Sequence, residues 1–353
     1  MSDNRKKAEQ KMAKAIFISA DCWLAVFDLL EPSQLGLAIA LISHRFDFYV
    51  DEHFKTRKWV LKYMEIWRKI GTNNAKQMAI FNSDQKSMQI PQKSLPKKVV
   101  GFKAITIEYI DNKTIAFLHL FRPLFASSSI NLAINTCYSD RTLEFILHNI
   151  WPMLGKNIHG IKMPVRAFCL LRHFVPSLFN NCPSIRVISL YAADIFTEFP
   201  CDDSAAASDG QALAKWLFTP FQNNVPKVFK CQVLASRIEP FKTEFANASS
   251  PVNFIAVIWF FPLSFAASVV PFVQINELTR EQLVLKRIDD NDESFLLIRC
   301  PIVRDARKWA KWEEEAIDWE IYEKQWNQID MRFYDEDQIG DGLLDAMIGP
   351  SDH

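Results

Sequence analysis

Cys169 and His173, four residues apart, are the nearest approach in this sequence to a nucleophile and its base. On a helix the two share a face, as a thiol and the imidazole that activates it must. No third group stands where it would orient the imidazole, and cysteine is often simply buried, so the pair predicts structure and not catalysis. His148 and His159 lie apart from acidic or thiol neighbours, and the sequence contains neither HxxxH nor CxxC. No metal site is therefore expected. Nine glycines form neither GxGxxG nor GxxxxGK, so no nucleotide cofactor is predicted and the chain reads as non-enzymatic.

The seven cysteines, Cys22, Cys137, Cys169, Cys182, Cys201, Cys231 and Cys300, are scattered and odd in number. They read as reduced thiols of the cytoplasm or nucleus. The opening MSDNRKKAEQKMAK is charged, and Asp21 and Asp28 interrupt the apolar residues behind it, which predicts no signal peptide. With 41 basic and 41 acidic side chains, bulk attraction to nucleic acid or to an anionic membrane is not expected. The balance conceals an asymmetry: residues 1–100 hold 17 basic and 10 acidic groups, residues 304–353 hold 6 and 14. Both ends are expected to be solvated surface, a basic arm over 1–15 and an acidic tail over 333–353.

The elements that must position these residues are marked by period and punctuation. Residues 16–62 read as helices, IFISADCWLAVFDLL and QLGLAIALISHRFDFYVDEHF, with Pro32 at the start of the second. Trp23, Val26, Phe27 and Leu30 fall on one face, and Leu35, Ile39, Ile42 and Phe46 repeat the pattern. So few short helices cannot bury that many apolar faces among themselves, which predicts a covering partner. Residues 63–98, rich in Asn, Gln, Lys and Ser, read as a linker. Over 99–200 four strand-like segments, centred near 104, 132, 160 and 188, recur about every 28 residues with helices between them, within the range of leucine-rich repeats. That alternation predicts a parallel sheet backed by helices, and NNCPSIRVISLY resembles the strand entry of cysteine-containing leucine-rich repeats.

Residues 201–303 contain the helix ALAKWLF and five candidate strands, the last two forming a hairpin at Asp289-Asp290-Asn291-Asp292. Ala246 to Asn276 carries no charge, but its three prolines divide it into strand-sized pieces, so a membrane span is not expected and a strand pair is. Residues 304–332 read as one C-terminal helix. There Trp312, Trp319 and Trp326 recur every seven residues beside Trp309, Ala316 and Tyr322, a stripe expected to bury itself on the preceding strands while Glu313, Glu320 and Lys324 stay wet. The fold class expected is α/β, α+β overall: N-terminal helices, a β/α repeat region and a strand-rich region closed by a tryptophan helix.

From Ile18 to Phe46 the arrangement resembles an F-box. Ile18-Ser19 stand where a Leu-Pro start is usual; Asp21 takes the acidic position, Val26, Phe27 and Leu30 the apolar face, Pro32 the turn, Leu35 the next helix, and Ile42-Ser43-His44-Arg45-Phe46 the closing motif. The wider layout, with ISHRFDFYVDEHF, QALAKWL, PVNFIAVIWF, LTREQLVLKR, LIRCPIVRDARKWAKWEEEA and IGDGLLD, looks like the expanded F-box family of plant-parasitic cyst nematodes. The resemblance implies a substrate receptor of a Skp-cullin-F-box ubiquitin ligase, with a Skp-type adaptor and, through it, a cullin as partners and no cofactor. It also implies adaptor contacts at Ile18, Asp21, Val26, Phe27, Leu30, Pro32, Leu35, Ile42, Arg45 and Phe46. An interaction scaffold of leucine-rich-repeat type, independent of ubiquitin, is the alternative.

Overall fold

The computed structural model describes residues 18–30, 34–35, 39–56, 59–68, 77–81, 87–88, 99–127, 129–136, 139–260, 269–289, 294–318, 327–340 and 342–345. Its contacts divide the chain into two compact units, Met1–Val60 with Lys97–Val99, and Leu61–Pro96 with Val100–His353.

In the first unit the helix Ala20–Phe27 starts at Ser19, whose side chain accepts the Cys22 amide at 3.3 Å. A serine there supplies a cap that proline would not, and Asp21 in the first turn suits the positive helix end. The second helix is His44–Thr56. The helix expected from Leu35 through Phe46 is not continuous, because Ala40, Leu41 and Ile42 lie in turns. Helical periodicity alone cannot reveal such a break when no glycine or proline marks it. Pro32 lies outside the described residues. Aromatic rings join the two helices: Trp23 meets Phe46 edge-on at 4.9 Å, and Phe27 lies 6.5 Å from Phe46 and 5.9 Å from His53.

The second unit is built on a sheet of thirteen described strands: β1 Trp59–Arg68, β2 Gln77–Phe81, β3 Ser87–Met88, β4 Val99–Ile107, β5 Ile130–Thr136, β6 Ile158–Pro164, β7 Val187–Asp194, β8 Lys227–Val233, β9 Phe254–Phe260, β10 Phe272–Asn276, β11 Glu281–Arg287, β12 Ser294–Pro301 and β13 Gln328–Phe333. Their order is β10-β11-β12-β9-β8-β7-β6-β5-β13-β4-β1-β2-β3. From β4 to β9 every adjacent pair is parallel, while β9, β12, β11 and β10 are antiparallel neighbours. This is the α/β class expected. The helices Asn112–Ser127, Asp140–Asn149, Val165–Phe174, Asp209–Leu217 and Ile238–Asn247 follow β4, β5, β6, β7 and β8 in turn, as parallel crossovers require.

Several boundaries differ from the sequence reading. The span read as a linker, 63–98, carries most of β1 and the short strands β2 and β3, and β1 begins inside the span read as helical. The parallel sheet does not stop near residue 200 but continues through β8 and β9. The hairpin β11–β12 forms as expected, Arg287 opposite Phe295. Within the charge-free run, β9 and β10 do not pair with each other: β9 lies between β8 and β12, and β10 pairs with β11. A strand buried on both faces needs no polar residue. No helix among the described residues is long and apolar enough to cross a membrane.

The largest correction is at the C-terminus. The helix is Ala306–Ile317, capped by Asp305 through the amides of Arg307 and Lys308 at 3.1 Å. Residues expected to continue it form β13, inserted parallel between β4 and β5. Trp319, Glu320, Tyr322, Lys324 and Trp326 lie outside the described residues. Trp309 and Ala316 are buried in a cluster with Val187, Val228, Ile255, Val257, Leu296, Ile298 and Cys300, and Trp312 is only partly buried against it. Glu313, expected to be wet, is 8% exposed. It pairs with Lys286 at 2.7 Å and Arg304 at 3.0 Å, cations from the strand and loop beside the helix.

Candidate functional site

The first unit separates the residues implicated by the F-box resemblance into two groups. Phe27 and Leu35 are each 1% exposed, so they hold the unit together and are not free to meet a partner. Ile18, Val26 and Ile42 are exposed, and Leu29, Leu41 and Phe48, which the pattern did not single out, are exposed as well. Leu30 and Phe46 are half-buried, and Asp21 and Arg45 are exposed. Arg45 donates to the Ile18 carbonyl at 3.2 Å and to the Tyr49 hydroxyl at 3.0 Å, tying the start of the second helix to the segment before the first. Six large apolar side chains exposed in two short helices and their connection are more than water-facing helices need, since scattered exposure is ordinary but concentrated exposure marks interaction surfaces.

In the second unit Cys169 and His173 share the helix Val165–Phe174. Burial, with a hydrogen bond from the thiol to Asp209, pushes the Cys169 pKa up to about 12, far from the thiolate range. His173 is exposed on the same helix and lies edge-on to Phe174. Nδ1 of His148 is 2.9 Å from the Glu144 carbonyl. Burial and the nearby Arg186 cation lower the His159 pKa. Among the described residues no three His, Cys, Asp or Glu side chains gather as metal ligands would.

The polar residues that do converge belong to the sheet, and none was conspicuous in the sequence. On the face shared with the tryptophan helix, Asp330, Lys162, Ser189 and Lys230 occupy one cross-strand row. With Asn131 and Gln328 they line a cavity of about 100 Å3. Burial, opposed by Asp318 and aided by Lys162, lowers the Lys230 pKa to about 8. Asp330 accepts from Asn135 at 2.8 Å and from Arg332 at 2.7 Å, and the Tyr191 hydroxyl donates to Asn135 at 2.6 Å. This chain of bonds ties β13, β5 and β7 together at their carboxyl ends.

There, Asn135 and Tyr191 also line a larger cleft of about 530 Å3. Its walls are the ends of β5, β6 and β7 and the first turns of the helices Asp140–Asn149 and Val165–Phe174. Crevices at the carboxyl ends of parallel strands are where α/β sheets hold ligands, because connecting loops and helix amino termini meet there. Ala192, at φ 71°, lies within β7 where its pairing with β8 shifts register between Ser189 and Asp194, and it lines that wall. The alternation of Gln328, Asp330 and Arg332 with Ile329, Met331 and Phe333 was the signal that could have placed β13, and with it the Asp330 node, in a sheet. Searched against family models, curated proteins and solved structures, the chain matches none.

Proposed function

We propose that this chain is a substrate-recognition adaptor of a Skp-cullin-F-box ubiquitin ligase, the first unit docking on a Skp-type adaptor and the second holding a protein target. The observation that carries this reading is the concentration of exposed apolar side chains, Ile18, Val26, Leu29, Leu41, Ile42 and Phe48, on a small unit whose own core is closed by Phe27 and Leu35. The resemblance of Ile18 to Phe46 to an F-box gives that surface its partner. Such a receptor performs no bond chemistry. It raises the effective concentration of a target lysine near a loaded conjugating enzyme.

The test uses the full chain and a purified Skp-type adaptor. Val26→Asp combined with Ile42→Asp is expected to weaken binding by at least about thirtyfold, the effect of losing about 2 kcal/mol at an interface anchor. Because both residues are exposed, the circular dichroism spectrum and melting temperature should hold. Unchanged affinity in the double variant, or no binding by the parent chain, sinks the proposal. An interaction scaffold without the ligase would then be favoured.

A further inference from the structure

The sheet of the second unit ends, among the described residues, in two strands that meet solvent differently. One is β3, only Ser87–Met88, paired with β2. A strand so short offers almost no backbone to a newcomer, which is one way proteins blunt a sheet edge. The other is β10, bonded along its whole length to β11 on one side and to no described strand on the other. The amides and carbonyls that point outward from such a strand are a ready ladder for another.

The usual guards of an edge are missing from it. Phe272-Val273-Gln274-Ile275-Asn276 carries no charge, Pro271 lies just before the paired residues, and no bulge interrupts the register with β11. Phe272, Gln274 and Asn276 turn toward the helix Ile238–Asn247: Lys242 Nζ lies 4.9 Å from the centroid of the Phe272 ring, and the amides of Gln274 and Asn276 donate to the carbonyls of Lys242 at 3.2 Å and Phe245 at 2.8 Å. Val273 and Ile275 point to the other face and are 64% and 52% exposed, and Val270 and Leu278, just outside the strand, are exposed as well. Apolar exposure gathered along one edge in this way marks an interaction surface.

The strand is complementary to itself. Paired antiparallel with a second copy about a twofold axis at Gln274, it sets Val273 of each copy opposite Ile275 of the other and Phe272 opposite Asn276. Each exposed apolar side chain then meets another, and no charge opposes a like charge. The same axis brings Lys242, beside the start of the strand, to the end from which the exposed Glu277 leaves. Lys242 pairs with Glu239 at 2.8 Å, but that carboxylate is 76% exposed, so the pair is weak and can be exchanged. Arg280 lies on the β11 side of the turn, where its carbonyl accepts the Ile302 amide at 3.0 Å.

We infer that two copies of this chain associate through β10, edge to edge and antiparallel, joining their sheets across a twofold axis at Gln274. The surface uses no residue assigned to adaptor docking and holds or fails independently of the ubiquitin-ligase reading.

Sedimentation velocity of the full chain between about 1 and about 100 µM tests this, and a monomer–dimer equilibrium with a micromolar dissociation constant is expected. Val273→Lys combined with Ile275→Lys sets like charges opposite each other twice and should raise that constant at least about thirtyfold. Val273→Lys combined with Ile275→Glu removes the same apolar side chains but sets opposite charges face to face, so it should dimerise at least about fivefold more tightly than the two-lysine variant. Because both positions are exposed, the melting temperatures of the two variants should match. Equal dissociation constants for them overturn the inference, as does a dimer that Val273→Lys with Ile275→Lys leaves intact. A parent chain still monomeric at about 100 µM overturns it too, leaving the edge to a strand of a target protein. Val26→Asp with Ile42→Asp should dimerise as the parent does; loss of the dimer there would move the interface to the first unit and overturn the inference.

Discussion

Two neighbouring cross-strand rows of the same sheet differ in almost everything except backbone. One runs Ile105, Ile329, Leu132, Ile161, Ile188, Phe229, Ala256 and Leu297. All eight are buried, and none has a polar side chain. The next row, on the opposite face, runs Thr106, Asp330, Ala133, Lys162, Ser189, Lys230, Val257 and Leu296. It is polar over most of its length and turns apolar at Val257 and Leu296, where the tryptophan helix packs. Composition along a row therefore reports what covers it. An apolar row is closed by the protein's own elements, and a polar row lines space in which other groups can be held.

The comparison breaks most visibly where the covering helix is pruned. Trp309→Ala, removing the ring buried against Val257 and Leu296, should cost about 3–5 kcal/mol in urea unfolding. A loss below about 1 kcal/mol would show that the apolar end of the polar row is not closed by this helix. Within the rows themselves, Leu132→Ala should cost about 2–5 kcal/mol, because it leaves a cavity in a close-packed layer. Ser189→Ala, two strands over and on the other face, should cost under about 1.5 kcal/mol. Equal losses would erase the distinction between the faces.

The smallest effect is a slope against pH. Burial lowers the folded Lys230 pKa to about 8, whereas an unfolded lysine titrates near about 10.4. Between those values the unfolded chain holds a proton the folded chain has released, so stability rises with pH across that window. Below pH 8 both states are protonated and this contribution is flat. Lys230→Met should reduce the rise between pH 8 and 10 in urea midpoints, leaving the part due to Lys227, whose pKa burial lowers to about 7. An unaltered slope would mean that Lys230 keeps its charge in the folded row.

How much of this was legible follows from the range of each signal. The strands near 104, 132, 160 and 188 announce themselves because apolar and turn residues alternate locally, and β4 to β7 occupy those positions. The tryptophan spacing misled for the same reason that it was noticed. A seven-residue recurrence reads as a helical stripe, and it masked the period-two pattern of Gln328 to Phe333. Glu313 looked like an outer-face residue because helical period counts neighbours on its own helix, while Lys286 and Arg304 come from elsewhere in the chain. In the first unit, Phe27 and Val26 read as equivalent apolar positions, yet one is 1% and the other 43% exposed.

What the sequence determined by itself is local: the strands near 104, 132, 160 and 188, the hairpin around Asp289, and the alternation of strand and helix. These follow from side-chain period and turn residues, which act over a few residues. The tertiary structure alone decided that β13 returns from the far end to lie between β4 and β5. It alone aligned Lys162, Ser189 and Lys230 in register, and brought Thr136 of one strand to the cleft lined by the first helical turn that follows another. Strand order and register depend on pairings between residues as far apart as Gln328 and Ala104, and no local period encodes them.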